Sequence, residues 1–182
     1  MLLTVILLLQ PVGSAQFRGS FQVAAAIPTG YFEDVAEAGG GSTLNLVYYP
    51  LNVDLEFSLT TGYYSLGYKE NLPGYTFRYT GIPLLAGVKF NFSSFDFIPY
   101  AGLEAGVYFD RYLVTIDYGL LGKFTTETTD INPGISPYAG FRMNLSPSLD
   151  LDVNARYNRI NTKYYARAYI VIQTGLAYRF GE

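Results

Sequence analysis

The chain lacks three residue types completely: its 182 residues include no cysteine, no histidine and no tryptophan. Without cysteine it has no disulfide framework and no thiolate metal site. Without histidine it has no Ser-His-Asp triad and no histidine-based acid–base site. Charge is scarce as well, because charged residues make up 15% of the chain, against roughly a quarter in ordinary soluble domains. The net charge of −3 and the absence of a basic cluster argue against a nucleic-acid partner.

The first fifteen residues have the pattern of a cleavable signal peptide. Leu2 to Leu9 is an apolar run that is too short to span a membrane as a helix. The segment Gly13-Ser14-Ala15 then provides the small residues that a signal peptidase reads. No lysine or arginine precedes the apolar run, and the alternative interpretation is a first buried strand. We therefore predict a signal peptide over residues 1–15 and one β-barrel domain over residues 16–182.

What the chain has in abundance is strict alternation of apolar and polar residues. It is clearest in two runs near the C-terminus, Leu149 to Asn158 and Tyr169 to Phe180. A period of two puts each set of side chains on its own face of a strand. About ten residues is the length that a tilted strand needs to cross a bilayer. With six further runs of this kind we predict eight strands; the six are Phe17 to Ile27, Ser42 to Tyr49, Val53 to Ser65, a run that ends at Phe92, Phe97 to Tyr112, and Ile135 to Leu145.

Alternation alone does not say which face of the strands lies inside. A soluble ligand-binding barrel turns its apolar face inward, whereas a membrane barrel turns it outward to lipid. Here the polar faces carry mostly small or neutral residues, which suit a crowded interior better than a soluble surface rich in lysine and glutamate. The connections also alternate between about three residues and about nine to twenty, like short periplasmic turns and longer outer loops. The sequence thus favours an all-β, eight-stranded antiparallel up-and-down transmembrane β-barrel over a soluble lipocalin-like carrier.

Tyrosine and phenylalanine gather near the ends of the predicted strands. Examples are Tyr48-Tyr49, Tyr63-Tyr64 and the pair Tyr178 and Phe180. This pattern is typical of an aromatic girdle at the two membrane interfaces. The alternative is that aromatic residues simply have a high propensity for strands.

Three segments carry a resemblance to a known family through their order and spacing. They are Ile82 to Phe90 (IPLLAGVKF), Pro99 to Gly106 (PYAGLEAG), and Ala155-Arg156-Tyr157 followed by Gly175 to Phe180 (GLAYRF). The chain resembles the small eight-stranded β-barrel domains of outer-membrane proteins. The resemblance implies a monomer in the outer membrane of a two-membrane bacterium, with the lipid bilayer and the barrel-assembly machinery as partners. Family members usually end on an aromatic residue that this machinery reads, which assigns the assembly signal to Phe180, although Gly181-Glu182 follow it here.

The predicted inward faces carry eleven charged residues, six acidic and five basic. An eight-stranded barrel has room inside only for side chains, so these charges must pair or be costly. We therefore predict a structural charge network that fills the lumen, formed by Arg18, Asp54, Glu56, Lys89, Glu104, Asp110, Arg142, Asp150, Asp152, Arg156 and Arg179. A narrow path for protons or small solutes through the same charges is the alternative.

Little in the sequence supports catalysis. Two pairs of carboxylates stand two residues apart, Asp54 with Glu56 and Asp150 with Asp152, but they lie on lumen faces that a solvated substrate could hardly enter. The lipid-modifying and proteolytic barrels of the outer membrane depend on a catalytic histidine, so the resemblance does not extend to them. No Walker loop or EF-hand pattern is present. We expect a non-enzymatic protein with no cofactor and no metal site.

The segment from Leu113 to Gly134 separates the fifth and sixth predicted strands. Apolar and β-branched residues alternate from Val114 to Tyr118 and again from Phe124 to Thr128, on either side of two glycines. This pattern predicts a hairpin that continues both strands above the bilayer, and a mobile loop is the alternative. A partner chain can extend the unpaired edge of such a ribbon. We therefore expect loops that mediate surface interaction or adhesion, with an extracellular protein partner at 113–134; a porin-like conductor and a soluble carrier are the alternative functions.

Overall fold

The computed structural model describes residues 16–50, 54–69, 74–93, 96–163 and 165–180. In this part of the chain eight antiparallel strands form one closed sheet in sequence order, and the last strand pairs with the first. The predicted all-β up-and-down barrel is confirmed. The strands are β1 (Gln16–Thr29), β2 (Gly39–Tyr49), β3 (Leu55–Leu66), β4 (Tyr75–Asn91), β5 (Phe97–Asp117), β6 (Lys123–Ser146), β7 (Leu149–Asn161) and β8 (Ala166–Phe180). The predicted signal peptide (1–15), Val53 at the start of the predicted third strand, and Gly181-Glu182 lie outside the described residues.

The strands turn their apolar face outward and their charged face inward. Leu103 is 51% exposed while its neighbour Glu104 is 1% exposed, and Phe21 and Gln22 differ in the same way. The outward side chains form a continuous apolar belt, which a bilayer requires and which a water-soluble surface rarely carries. A soluble carrier would have the reverse arrangement, so the lipocalin-like alternative is wrong.

The first outer loop folds over one mouth of the barrel. Its 3₁₀ turn, Gly30–Phe32, buries Phe32 edge-on against the ring of Tyr79, with 5.2 Å between ring centroids. Ala36 of the same loop forms an isolated β-bridge with Tyr68. Among the described residues, no helix has the length and apolar character needed to cross a membrane.

Strands β5 and β6 are longer than the sequence predicts. They stay paired up to Asp117 and Lys123, so the predicted connection of about twenty residues is instead the turn at 118–122. The hairpin predicted within 113–134 is confirmed, and the predicted start of the sixth strand at Ile135 is wrong. The extra length on the outer side therefore lies in strands and not in loops.

Prolines mark the places where β6 loses contact with β7. A proline has no N–H to donate to a neighbouring strand. The pairing of β6 with β7 skips Ser136 and Pro137, and toward the outer end it stops at Gly134 and Ile160, directly beside Pro133. Beyond this point β6 continues with β5 as its one neighbour among the described residues.

Candidate functional site

The basal layer of the lumen lies at the end where β1 begins and β8 ends. Its buried charges are Arg18, Glu56, Lys89, Arg142 and Asp150. Lys89 Nζ lies 2.8 Å from Glu56 Oε2, and Arg18 Nη1 lies 3.2 Å from Glu56 Oε1. Arg142 joins the two acids, with Nη2 3.5 Å from Glu56 Oε1 and Nε 3.4 Å from Asp150 Oδ2. Each carboxylate faces several cations, which compensates for the loss of water around the charges.

Arg179 completes the basal layer from the last strand. It forms an ion pair with Asp150 and donates from Nη2 to Asn144 Oδ1 at 2.5 Å. Its Nη1 also donates to the carbonyl oxygen of Pro147 at 3.1 Å. These bonds tie the end of β8 to the turn between β6 and β7.

The middle layer centres on Glu104, which is buried. Ser58 Oγ and Thr60 Oγ1 donate to Glu104 Oε1 at 2.6 and 2.8 Å, and Arg156 Nη1 pairs with Glu104 Oε2. The Arg156 guanidinium also lies 4.7 Å from the centre of the Tyr138 ring. Since β3, β5, β6 and β7 all contribute, this layer crosses the full width of the lumen.

Neutral groups that sequence analysis did not single out complete the middle layer. Gln173 Nε2 donates to Gln22 Oε1 at 2.6 Å, and Thr43 Oγ1 donates to Gln173 Oε1 at 3.0 Å. Tyr100 donates its hydroxyl to Asp152 Oδ1 at 2.5 Å. These neutral side chains lie on the same polar faces as the charges, so the alternation that located the charges also contained the signal for them.

The upper layer lies beneath the first outer loop and is built on Asp110. Tyr79 donates its hydroxyl to Asp110 Oδ1 at 2.6 Å. Asn132 Nδ2 and Arg167 Nη1 donate to Asp110 Oδ2 at 2.8 and 3.0 Å. Three donors therefore compensate this buried acid at the outer end of the lumen.

Three sequence assignments need correction. Asp54 is exposed and precedes β3, so its prediction as a lumen residue is wrong; the inward face of that strand starts with Glu56. Tyr64, predicted as part of the aromatic girdle, is fully buried in the lumen, because adjacent residues of a strand face opposite sides and its neighbour Tyr63 points outward. Arg167 was missed because β8 begins three residues before the predicted start at Tyr169.

A small internal cavity lies between these layers. An internal cavity lined by Lys89, Tyr100 and Arg156 among others has a volume of about 10 Å³. A space of this size holds about one water molecule. No group of histidine, cysteine, aspartate or glutamate in the described ranges is arranged to hold a metal ion.

Outside the membrane, β5 and β6 continue as a raised hairpin, residues 111–133. Exposed pairs connect its strands: Arg111 Nη2 lies 2.6 Å from Glu127 Oε2, and Lys123 Nζ lies 3.2 Å from Asp117 Oδ2. At the tip, the Gly119 N–H donates to Asp117 Oδ1 at 2.9 Å. The Gly119 N–H and the Lys123 ammonium favour the charged carboxylate and lower the pKa of Asp117 below its usual range.

The two strands of the raised hairpin differ in their outer neighbours. On the β5 side, β4 still pairs with the hairpin, because Tyr75 to Arg78 lie opposite Ile116 to Leu113. On the β6 side, pairing with β7 has ended, so residues 123–133 form a free edge within the part of the chain that the structure describes. Nearly all residues of this free edge are exposed.

No family model and no curated protein matches the chain. Several solved structures match it in fold. Neisserial surface protein A (NspA) superimposes with a TM-score of 0.61 at 20% identity, over 92% of this chain and 99% of that chain. Ail, the attachment invasion locus protein of Yersinia pestis, solved with the heparin analogue sucrose octasulfate, gives 0.57 at 17%, over 91% and 97%. The outer membrane protease OmpT from Escherichia coli gives 0.51 at 12%, over 91% and 96%.

At these identities the likeness establishes the fold and not a shared activity. The apolar belt and the charged interior supply the independent physical reason for a membrane location. The sequence resemblance to small outer-membrane barrels is therefore confirmed at the level of fold. The chain is an eight-stranded β-barrel of the outer membrane, with its charged faces in the lumen and its apolar faces on lipid.

Proposed function

We propose that this protein is a non-enzymatic, monomeric surface barrel that attaches to an extracellular protein through segment 113–134. The observation that carries the proposal is the free edge of β6 at residues 123–133. An exposed edge presents unpaired backbone groups to which another chain can add a strand. Ail, which is named for attachment and invasion, has the same fold, and this likeness supports a role at the surface.

The alternation of backbone hydrogen bonds between β5 and β6 indicates which backbone groups of β6 are available to a partner strand. Tyr118 N–H donates to Gly122 O, and at the other end Asn144 N–H donates to Asp96 O. In an antiparallel pair, hydrogen-bonded positions alternate with positions whose N–H and C=O groups point away. The even-numbered residues of β6 therefore bond to β5. The odd-numbered ones, such as Thr129, direct their backbone groups to the free edge.

The packing of the lumen supports a barrel that neither catalyses nor conducts. Candidate carboxylates such as Glu56, Glu104 and Asp152 are buried and already accept hydrogen bonds. The internal cavity beside Lys89 and Arg156, at about 10 Å³, is too small for a substrate. We expect no conductance above background in planar bilayers, and discrete channel steps would favour the alternative of a narrow conductor.

Deletion of Tyr118 to Thr128 tests the proposed function. Because the deleted residues lie outside the barrel, we expect normal assembly and an unchanged mobility shift on unheated gels. Attachment of cells that display the protein to epithelial monolayers and to immobilised matrix proteins should be lost. Attachment that survives the deletion, or that the intact protein never shows, would overturn the proposal.

A pair of variants at one position tests strand addition itself. Thr129→Pro removes one N–H from the free edge and leaves the bonds to β5 intact, whereas Thr129→Ala keeps the N–H and removes only the side chain. We expect attachment to fall with proline and to persist with alanine. Hydrogen exchange of the β5–β6 amides checks that both variants keep the hairpin. Equal attachment of the two variants would exclude the backbone edge as the binding element.

A further inference from the structure

The raised hairpin ends in large apolar residues. Leu120 is fully exposed, and Tyr118 and Phe124 beside it are each more than half exposed. Tight turns in water usually carry glycine, asparagine or aspartate, which suit both the solvent and the backbone. Neither the barrel nor strand addition at the free edge requires apolar side chains here. These three residues form the apolar tip.

The backbone of the turn holds Leu120 outward. Gly119 and Gly122 have φ angles of +64° and +96°, which residues with a side chain rarely adopt. The Tyr118 N–H donates to Gly122 O at 2.9 Å, and the Gly122 N–H donates to Gly119 O at 3.1 Å. The Gly119 N–H donates to the Asp117 carboxylate. These three N–H groups are satisfied without water, which lowers the cost of moving the turn into a less polar environment.

The order of residue types at the apolar tip matches the order at the outer edge of the barrel's own belt. On the outward face of β5, apolar residues are followed by Phe109 and then by Arg111. At the hairpin, Leu120 forms the end, Tyr118 follows, and the exposed Lys123 lies below them. Apolar, aromatic and charged is the order from the core of a bilayer to its headgroups. The apolar tip therefore has the composition of a segment that enters a bilayer interface.

The position of the apolar tip separates it from the protein's own membrane. Strand β5 continues from Arg111 to Asp117, which is roughly 20 Å along the strand. At a strand tilt of about 45° the tip stands roughly 14 Å above Arg111, whereas a headgroup layer is roughly 5–8 Å thick. A bilayer that receives the tip is therefore one that faces the outer membrane from outside.

A bilayer also fits the shape of the apolar tip. The tip is the convex end of a hairpin, so a protein partner would need a matching cavity, whereas a fluid bilayer closes around any convex apolar surface. We propose that the apolar tip inserts into the interface of a lipid bilayer on an apposed cell, with Leu120 deepest. This inference goes beyond the proposed function and does not rest on it, because it uses side chains at the end of the hairpin and not the backbone of the free edge.

A tryptophan in place of Leu120 reports the surroundings of the apolar tip, because the chain has no tryptophan of its own. Full-length Leu120→Trp in phosphatidylcholine nanodiscs is mixed with vesicles of brominated phosphatidylcholine, whose bromines quench tryptophan within a bilayer. We expect its emission to shift to the blue and to be quenched. Tyr31→Trp, on the exposed first outer loop, is the matched control and should do neither. Equal quenching of both variants, or no quenching of Leu120→Trp at millimolar lipid, would overturn the proposal.

Vesicle flotation measures the contribution of the native side chain. We expect Leu120→Asn to lower the partition of the nanodisc-bound protein onto phosphatidylcholine vesicles at least about tenfold, because a leucine side chain no longer leaves water. Tyr31→Asn removes an equally exposed apolar residue from the other loop and should change partition by less than about twofold. An equal fall in both variants would mean that exposed apolar residues adhere without a specific tip, and the proposal would fall.

Two further arrangements test the other occupants of the apolar tip. Brominated lipid in the nanodisc itself, without vesicles, should leave Leu120→Trp unquenched, and quenching there would place the tip on the protein's own membrane and overturn the proposal. A blue shift that grows with protein concentration in the absence of vesicles would identify a second copy as the occupant, with the same consequence.

Thr129→Pro distinguishes failure of this inference from failure of the proposed function. It keeps the apolar tip, so we expect unchanged vesicle binding and reduced attachment to immobilised matrix proteins. Leu120→Asn should show the reverse. If Leu120→Asn loses attachment to matrix proteins while the unmodified protein never binds vesicles, the tip fits a protein pocket; the inference then falls and the proposed function stands.

Discussion

The lower and upper halves of strand β6 differ in what surrounds them. From Gly134 to Met143 the strand lies between β5 on one side and β7 on the other, and inward side chains such as Arg142 are buried. From Lys123 to Pro133 it pairs with β5 alone, and its side chains are almost all exposed. In both halves the even-numbered positions carry mostly polar or small residues. The presence of a second neighbouring strand therefore determines whether a polar face becomes a sealed interior or an accessible surface.

Ion pairs differ between the two regions in the same way. The side chains of Arg156 and Glu104 in the lumen are 3% and 0% exposed, whereas those of Arg111 and Glu127 on the raised hairpin are 56% and 46% exposed. Surface pairs contribute about 0–1 kcal/mol. Removal of one partner of a buried pair costs about 3–5 kcal/mol, because the other charge is left uncompensated. The barrel should therefore respond strongly to single substitutions and the hairpin weakly.

Transfer from detergent to plain buffer should have the largest effect, because it acts on the whole apolar belt. We expect the protein to fold only in detergent or lipid. On gels, unheated protein should migrate differently from heated protein, since a closed ladder of hydrogen bonds resists detergent. A monodisperse, folded protein in plain buffer would contradict the assignment of the belt to lipid.

Arg156→Leu tests how much a buried ion pair of the lumen contributes to stability. The substitution leaves Glu104 buried without its cation, and we expect a loss of about 3–5 kcal/mol in the free energy of unfolding in detergent. Glu37→Gln, which removes a charge from an exposed loop residue, is the control and should change stability by less than about 0.5 kcal/mol. Equal losses from the two variants would mean that the lumen is open to water.

Gly175→Ala tests how tightly the lumen wall is packed. A Cβ atom at Gly175 would collide with the carbonyl oxygen of Phe21 and lie 2.6 Å from Gln22 Cα, so backbone would have to move. We expect a loss of about 1–3 kcal/mol in the same unfolding measurement. At Gly40 the nearest atom to such a Cβ is Ala24 O at 3.5 Å, and Gly40→Ala should be nearly neutral. Similar stabilities of the two variants would argue against tight packing at β1 and β8.

The smallest effect concerns pH at the tip of the raised hairpin. The folded pKa of Asp117 lies below its unfolded value of about 3.9, so the ionised carboxylate stabilises the tip above that pH. This stabilisation is lost as the pH falls through the folded pKa. We expect the hydrogen-exchange protection of the Gly119 amide to decline at acid pH, while amides of the barrel keep theirs. In Asp117→Asn the protection should be low throughout, and an unchanged pH profile in this variant would exclude the carboxylate as the cause.

The alternation of residues predicted much of the barrel but not its strand ends. It assigned Leu103 to the outside and Glu104 to the lumen, because a period of two leaves each residue only one possible face. Strand ends depend on the neighbouring strand and on the turn that follows, and these are not visible in one run of residues. Asp54 and Arg167 illustrate this: each lies near a strand end, and each was placed on the wrong side of it.

The sequence by itself determined the number of strands, the residues that share a face and the low charge that favours lipid outside. These properties follow from local spacing and from composition. Only the tertiary structure decided which charges meet: Glu104 and Arg156 lie on β5 and β7, and closure of the sheet brings them together across the lumen. It also decided that β6 extends beyond β7, which creates the free edge. Both depend on contacts between strands that are distant in the chain, and a local pattern does not encode such contacts.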